Sequence, residues 1–251
     1  MAKRPGSDIM NLRDIIKCFG LTLALLAAVS CSSGWQPLFD GKTLEGWIGV
    51  DGQDVPASYW SVVDGAIVSH PSFAEQPSGI GDSVAPSEDT RDLITKAVYY
   101  NFKLKVQFRL EEGSNGGIKY FINPGRFSSP SIGFEYQVID DTVFGEKHFK
   151  INNVQTTASL YDLLSANKMK ANFKPYEWND AMIVVDGGKV EHWLNGVKVL
   201  EIDRFSDSFD ALVVNSKFAG QEGFGKLDGG HILLQDHGCT VYYRNIMIKE
   251  L

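Results

Sequence analysis

The stretch "YYNFKLKVQFRL", residues 99–110, most constrains what this chain can become. Phe102, Leu104, Val106, Phe108 and Leu110 alternate with Asn101, Lys103, Lys105, Gln107 and Arg109. A strict period of two places the first set on a buried face and the second in water, which describes a strand and rules out a helix. The same signature recurs. "KVEHWLNGVKVLEI" carries Asn195-Gly196 between two alternating runs, the signal for a two-residue type I′ hairpin, because both central residues must adopt positive φ. "CTVYYRNIMIKEL" closes the chain as a further strand, with Val241, Tyr243, Asn245 and Met247 expected on one face and Tyr242, Arg244, Ile246 and Ile248 on the other. Strands are also expected at "AIVSH", "GIKYFI", "GFEYQVI", "WNDAMIVVDG" and "HILLQDH", separated by many of the 25 glycines. Helical signals are limited to single turns at "EDTRDLITK" and "YDLLSANKMK", too short for the crossovers a parallel sheet needs. Residues 71–88 read as a long Pro/Ser/Gly-rich loop. The expected fold is all-β, a jelly-roll sandwich of two antiparallel sheets.

The N-terminal residues read differently. Lys3, Arg4, Arg13 and Lys17 precede an apolar run of about a dozen residues, too short to span a bilayer. Small residues then lead into Cys31. This order predicts a lipoprotein signal peptide over residues 1–30, lipidation at Cys31, and a single domain over 31–251. It also predicts export, with lipid anchoring in the bacterial cell envelope, at the periplasm or the outer membrane. Residues 1–30 carry four bases and two acids, so the −7 of the whole chain becomes −9 for residues 31–251. An acidic body excludes nucleic acid as a partner, since that needs clustered Lys and Arg. With Cys18 in the leader and Cys31 carrying lipid, Cys239 stands alone, and we expect it to be a small buried residue in a strand.

Polar residues inside otherwise apolar strands mark the candidate site. In "SIGFEYQVIDD", Glu135 and Gln137 share one face while Phe134, Tyr136 and Val138 take the other. Lys119 interrupts "SNGGIKYFI", where Ile118 and Tyr120 face one side and Lys119 and Phe121 the other. Gln235 and His237 alternate with Leu234 and Asp236 in "LLQDHG". Histidine titrates near neutrality and suits proton transfer. His192 shares a face with Val190 and Leu194, which favours a core histidine. Asp140 and Asp141 suit a strand-end turn as well as a site. A tight turn is enough to explain Gly116 and Gly117. No H-x-x-x-H or C-x-x-C spacing is present, and a divalent cation such as Ca2+ stays open on loop carboxylates alone.

Taken in order, "LFDGKTLEGW", "LITKAVYYNFKLKVQFRL", "SNGGIKYFI", "GFEYQVIDD", "EWNDAMIVVDGGKVEHWLNGVKV" and "LLQDHGCTVYYRNIMIKEL" resemble the 3-keto-disaccharide hydrolase family, from about Trp35 to Leu251. The resemblance implies a concanavalin A-like, laminin-G-like jelly roll and a carbohydrate substrate already oxidised at C3. It also implies cleavage by loss of the C2 proton and of the C1 substituent, with water adding later. By this resemblance Glu135, His237 and Lys119 are candidate catalytic groups. Gln137, Tyr161, Gln235, Arg244 and His148 are candidate substrate contacts. The family's Asn-Ser-Gly appears here as Asn115-Gly116-Gly117, without the hydroxyl. A non-catalytic carbohydrate-binding protein is the alternative.

Overall fold

A computed structural model describes residues 34–71, 91–143, 153–167 and 172–251 of the chain. His148, Cys31, residues 1–30 and most of the expected 71–88 loop lie outside these residues.

The alternating runs form two antiparallel sheets that pack face to face. The larger sheet contains β1 (Gln36–Pro37), β3 (Trp60–Val63), β4 (Ala66–Ser69), β6 (Phe102–Leu110), β9 (Asn179–Asp186), β10 (Lys189–Leu194), β11 (Val197–Asp203) and β13 (Val241–Glu250). Its order is β11-β10-β9-β6-β13-β4-β3, with β1 also paired to β13. The five-stranded sheet contains β2 (Trp47–Gly49), β5 (Leu93–Thr95), β7 (Asn115–Ile122), β8 (Phe134–Ile139) and β12 (His231–Asp236), ordered β2-β5-β12-β7-β8. The central face of β6 behaves as its period demands: Phe102, Leu104, Val106, Phe108 and Leu110 are buried. They meet Ile118, Tyr120, Phe134, Tyr136 and Val138 of the opposite sheet in one core. The β10–β11 hairpin turns at Asn195 (φ 48°) and Gly196 (φ 82°), as the Asn-Gly pair requires.

Several expectations are corrected. "EDTRDLITK" contributes strand β5, not a helical turn, because Leu93 and Ile94 pair with Leu234 and Leu233. Tyr161–Leu164 is a turn closed by the Leu160–Leu164 bridge, and no helix follows it among the described residues up to 167. The eight-residue helix of the described residues is Asp207–Val214, begun by Ser206, whose side chain accepts the Phe209 N–H. Phe121 does not share Lys119's face. Its φ of 59° and a register shift opposite β12 turn the ring into the main core against Tyr120 and Phe134. The faces of β13 swap for a similar reason. Asn245 has φ 51° and the register against β6 shifts between Arg244 and Met247, so Ile246 and Ile248 are buried and Met247 faces outward. Cys239 is half-buried in the β12–β13 connection, with its thiol 3.6 Å from the His237 carbonyl.

Candidate active site

The outer face of the five-stranded sheet carries the polar interruptions. Register alone assembles them. Glu135 on β8 lies opposite Lys119 on β7, which lies opposite Leu233 on β12; Gln137 lies opposite Gly117, which lies opposite Gln235. The side chains converge on a hollow of about 90 Å3 lined by Asn115, Lys119, Glu135, Gln137, Tyr161, Lys217, Gln235 and His237. Six of the residues expected from sequence are therefore brought together: Glu135, Lys119, His237, Gln137, Tyr161 and Gln235.

Gly117 explains how they fit. A Cβ there would stand 2.8 Å from Glu135 Oε1 and 3.0 Å from Gln235 Oε1, so the missing side chain is the floor of the hollow. Gly116 faces inward, where a Cβ would meet the Tyr243 hydroxyl at 2.8 Å. Both glycines sit inside a strand for close approach and not, as expected, in a tight turn.

Glu135 and Gln137 are buried, at 7% and 2% exposure, although their face is the outer one. The cause is a covering segment. Residues 158–161 run along the free edge of β8: Ala158 N–H donates to the Gln137 carbonyl, and Tyr161 N–H to the Glu135 carbonyl at 3.0 Å. This brings Tyr161 to the hollow that Glu135 also lines. Burial and the nearby Glu135 charge raise the Tyr161 phenol above its ordinary pKa. Lys217 N–H is held by Asp162 Oδ2 at 3.0 Å, and its amine lies 4.2 Å from the Tyr161 ring centre. Partial loss of solvent lowers the pKa of that amine, against the pull of Glu135.

Lys119 Nζ stands 3.6 Å from Glu135 Oε2 and donates to the Ser131 carbonyl at 3.4 Å. Behind it is Asp92, 2% exposed, which accepts the Ser131 hydroxyl at 2.6 Å and the Asp236 N–H at 2.8 Å. Burial pushes the Asp92 carboxyl up to about 6, against the pull of the Lys119 charge. Asp236 in turn accepts the Gly238 N–H at 3.0 Å and faces Arg91 at 3.4 Å, fixing the turn that carries exposed His237. Sequence reasoning missed Asp92 and Lys217. Asp92 sits where a helical turn was expected, and Lys217 follows a helix that was not foreseen.

Other candidates lie elsewhere. Arg244 is not brought into the hollow: it faces outward from the eight-stranded sheet, donates to Gln107 Oε1 at 2.9 Å and stacks 3.9 Å over Trp178. His192 is fully buried, with Nδ1–H on the Ala158 carbonyl at 2.9 Å and Nε2 accepting the Tyr120 hydroxyl at 2.8 Å. Burial lowers its pKa to about 4, so it is a neutral core histidine. Asp140 accepts the Gly113 N–H and the Tyr176 hydroxyl, and Asp141 accepts the Thr157 N–H, so both tie down loops. Among the described residues no group of three or more His, Cys, Asp or Glu could hold a metal ion.

The chain has known relatives. A curated relative from Bacteroides thetaiotaomicron, named 3-keto-disaccharide hydrolase, is 33% identical over 245 residues, covering 88% of this chain and 79% of the relative. A solved structure of a candidate glycosyl hydrolase from Parabacteroides distasonis is 30% identical with a TM-score of 0.72, covering 87% of this chain and 94% of that one. A second from the same organism is 26% identical with a TM-score of 0.59, covering 86% and 99%. The family described as the 3-keto-alpha-glucoside-1,2-lyase-like domain matches residues 34–249, and the chain belongs to that family.

Proposed function

We propose that the chain cleaves 3-keto-glycosides in the polar hollow of the five-stranded sheet. The observation that carries this is the convergence of two carboxylate- or imidazole-bearing groups, two amines, a phenol and three amides on one small site. A module that only binds sugar needs the amides and aromatics; it does not need a buried carboxylate facing a buried amine.

Each group has a role suited to its place. Glu135 takes the proton from C2, acidified by the neighbouring ketone. Lys119, 3.6 Å from that carboxylate, stabilises the enolate oxygen forming at C3. The electrons of the enolate then form the C1–C2 double bond and the C1–O bond breaks. His237, exposed at the mouth, gives its proton to the departing oxygen. The hollow of about 90 Å3 admits the reacting edge of one ring and leaves the departing group outside, on the His237 side. Gln137, Gln235, Asn115 and Tyr161 hold ring hydroxyls. Water adding at C1 of the enone completes a net hydrolysis. The name and identity of the Bacteroides relative support the substrate class.

Purified protein incubated with a 3-keto-disaccharide and with its unoxidised parent tests this. Release of monosaccharide from the keto form alone is expected. Glu135→Gln and His237→Asn should each lower the rate about 10²-fold or more. The His237→Asn deficit should shrink on an aryl 3-keto-glycoside, whose leaving group needs no proton. Unchanged rates in both variants would remove these roles, and no release from either sugar would remove the activity.

We also propose that Cys31 carries lipid and anchors the exported protein in the cell envelope. Metabolic labelling with an alkyne fatty acid should mark the wild-type chain and not Cys31→Ser; equal labelling would contradict it.

A further inference from the structure

A second hollow lies on the opposite side of the sandwich. It is a groove of about 550 Å3 across β10, β9, β6 and β13 on the outer face of the eight-stranded sheet, within the ~300–1,000 Å3 usual for small-molecule sites. We propose that this groove is a separate, non-catalytic binding site for a neutral carbohydrate chain.

A β-bulge and strand alternation shape it. The register of β13 against β6 shifts between Arg244 and Met247, with Asn245 at φ 51°. A bulge bends a strand and re-aims its side chains, here that of Asn245. Trp193 reaches the groove by alternation along β10, which stays in register with β9 opposite Met182. The Trp193 indole is held in place by its Nε1–H on Glu191 Oε2 at 2.8 Å, and Met182 and Met247 line the groove beside it. This gives a fixed, half-exposed aromatic plate. Next to it is a locked polar row. Gln107 donates to Asp180 Oδ1 at 2.9 Å and accepts from Asn245 Nδ2 at 2.8 Å and from Arg244 Nε at 2.9 Å.

The combination selects the ligand. A sugar ring offers an apolar C–H face to an indole and hydroxyls at its edge to amides and a carboxylate. An acyl chain or an apolar peptide would cover Asp180 and Asn245 without pairing their outward atoms, which costs about 1–3 kcal/mol for each group. Lys105 and Asp180 offset one another, so the groove selects neither anion nor cation. The groove holds no acid–base pair comparable to Glu135 and His237, which makes it a holding site. The proposal does not rest on the chemistry assigned to the polar hollow.

Titration calorimetry of the purified protein with cellopentaose, laminaripentaose and maltopentaose tests it, alongside turnover of a 3-keto-disaccharide. At least one oligosaccharide should bind. Trp193→Ala and Gln107→Ala should each weaken binding about fivefold to tenfold, and Trp193→Phe should retain part of it. Turnover should stay within about twofold in all three, because the groove lies on the sheet opposite the polar hollow. Glu135→Gln should lower turnover about 10²-fold or more and leave this binding intact. The proposal is overturned if none of the oligosaccharides binds, or if the Trp193 and Gln107 variants bind as wild type. It is equally overturned if binding is lost in Glu135→Gln, or if the groove variants abolish self-association of the chain in place of sugar binding.

Discussion

At the scale of single residues, two buried titratable groups oppose each other. His192 has its pKa lowered to about 4 by burial. The unfolded chain therefore binds the extra proton first, and the stability this group contributes, full above about 6.5, is lost as pH falls toward 4. Asp92 is raised to about 6, so the folded state holds its proton more tightly than the unfolded one. Its contribution is present at low pH and is lost as pH rises through 6. Between about pH 4 and 6 the two slopes offset. Asp92→Asn removes one of them and keeps an oxygen for the Asp236 N–H. Its melting temperature should fall more steeply than that of wild type on acidification from pH 6.5, measured by calorimetry across that range. Parallel curves would mean that Asp92 does not titrate in the folded state. Glu135 shows the same lesson on the functional side. A strand position that looks solvated is buried, and Tyr161 and Lys217, from outside the sheet, line the hollow with it.

At the scale of elements, β7 is the strand on which the site is built. Gly117→Ala would push a methyl group against the Glu135 and Gln235 side-chain oxygens, both flexible ends that can move aside. Folding should be nearly preserved while the carboxylate is displaced. Turnover should fall about 10²-fold, the usual cost of a misplaced catalytic group, with a melting temperature close to wild type. A variant that loses both together would argue that Gly117 is structural only. The same element shows what the sequence discloses. Periodicity told which residues of β6, β8 and the β10–β11 hairpin face the core, because alternation is a local property. It could not reveal the bulges at Phe121 and Asn245, since each depends on a partner strand's register. Glu135, Gln137 and Lys119 were legible because apolar strands made them conspicuous. Gln235 and His237 were legible in the same way and through the resemblance to a family, and Tyr161 through the resemblance alone. Asp92 and Lys217 were not. Asp92 owes its place to β5 pairing with β12, and Lys217 to a turn tied to Asp162, both contacts between distant parts of the chain. Arg244 failed for a related reason: the resemblance offered it as a substrate contact, but its strand belongs to the other sheet.

At the scale of the whole molecule, the two outer faces of the sandwich differ in chemistry. The five-stranded sheet collects a carboxylate, an imidazole and two amines over a glycine floor, and the eight-stranded sheet carries a groove with an indole and amides on its far side. Their shared core of Phe102, Leu104, Phe108, Tyr120 and Tyr136 holds the two faces apart. The central claim is that Glu135 takes a proton from C2 of a 3-keto sugar, and hydrogen exchange in heavy water tests it most directly. By proton NMR, wild-type protein in D2O should replace the C2 hydrogen of a 3-keto-glycoside with deuterium, His237→Asn should do so at a similar rate without releasing the C1 substituent, and Glu135→Gln should do neither. Exchange in Glu135→Gln at the wild-type rate would contradict the account.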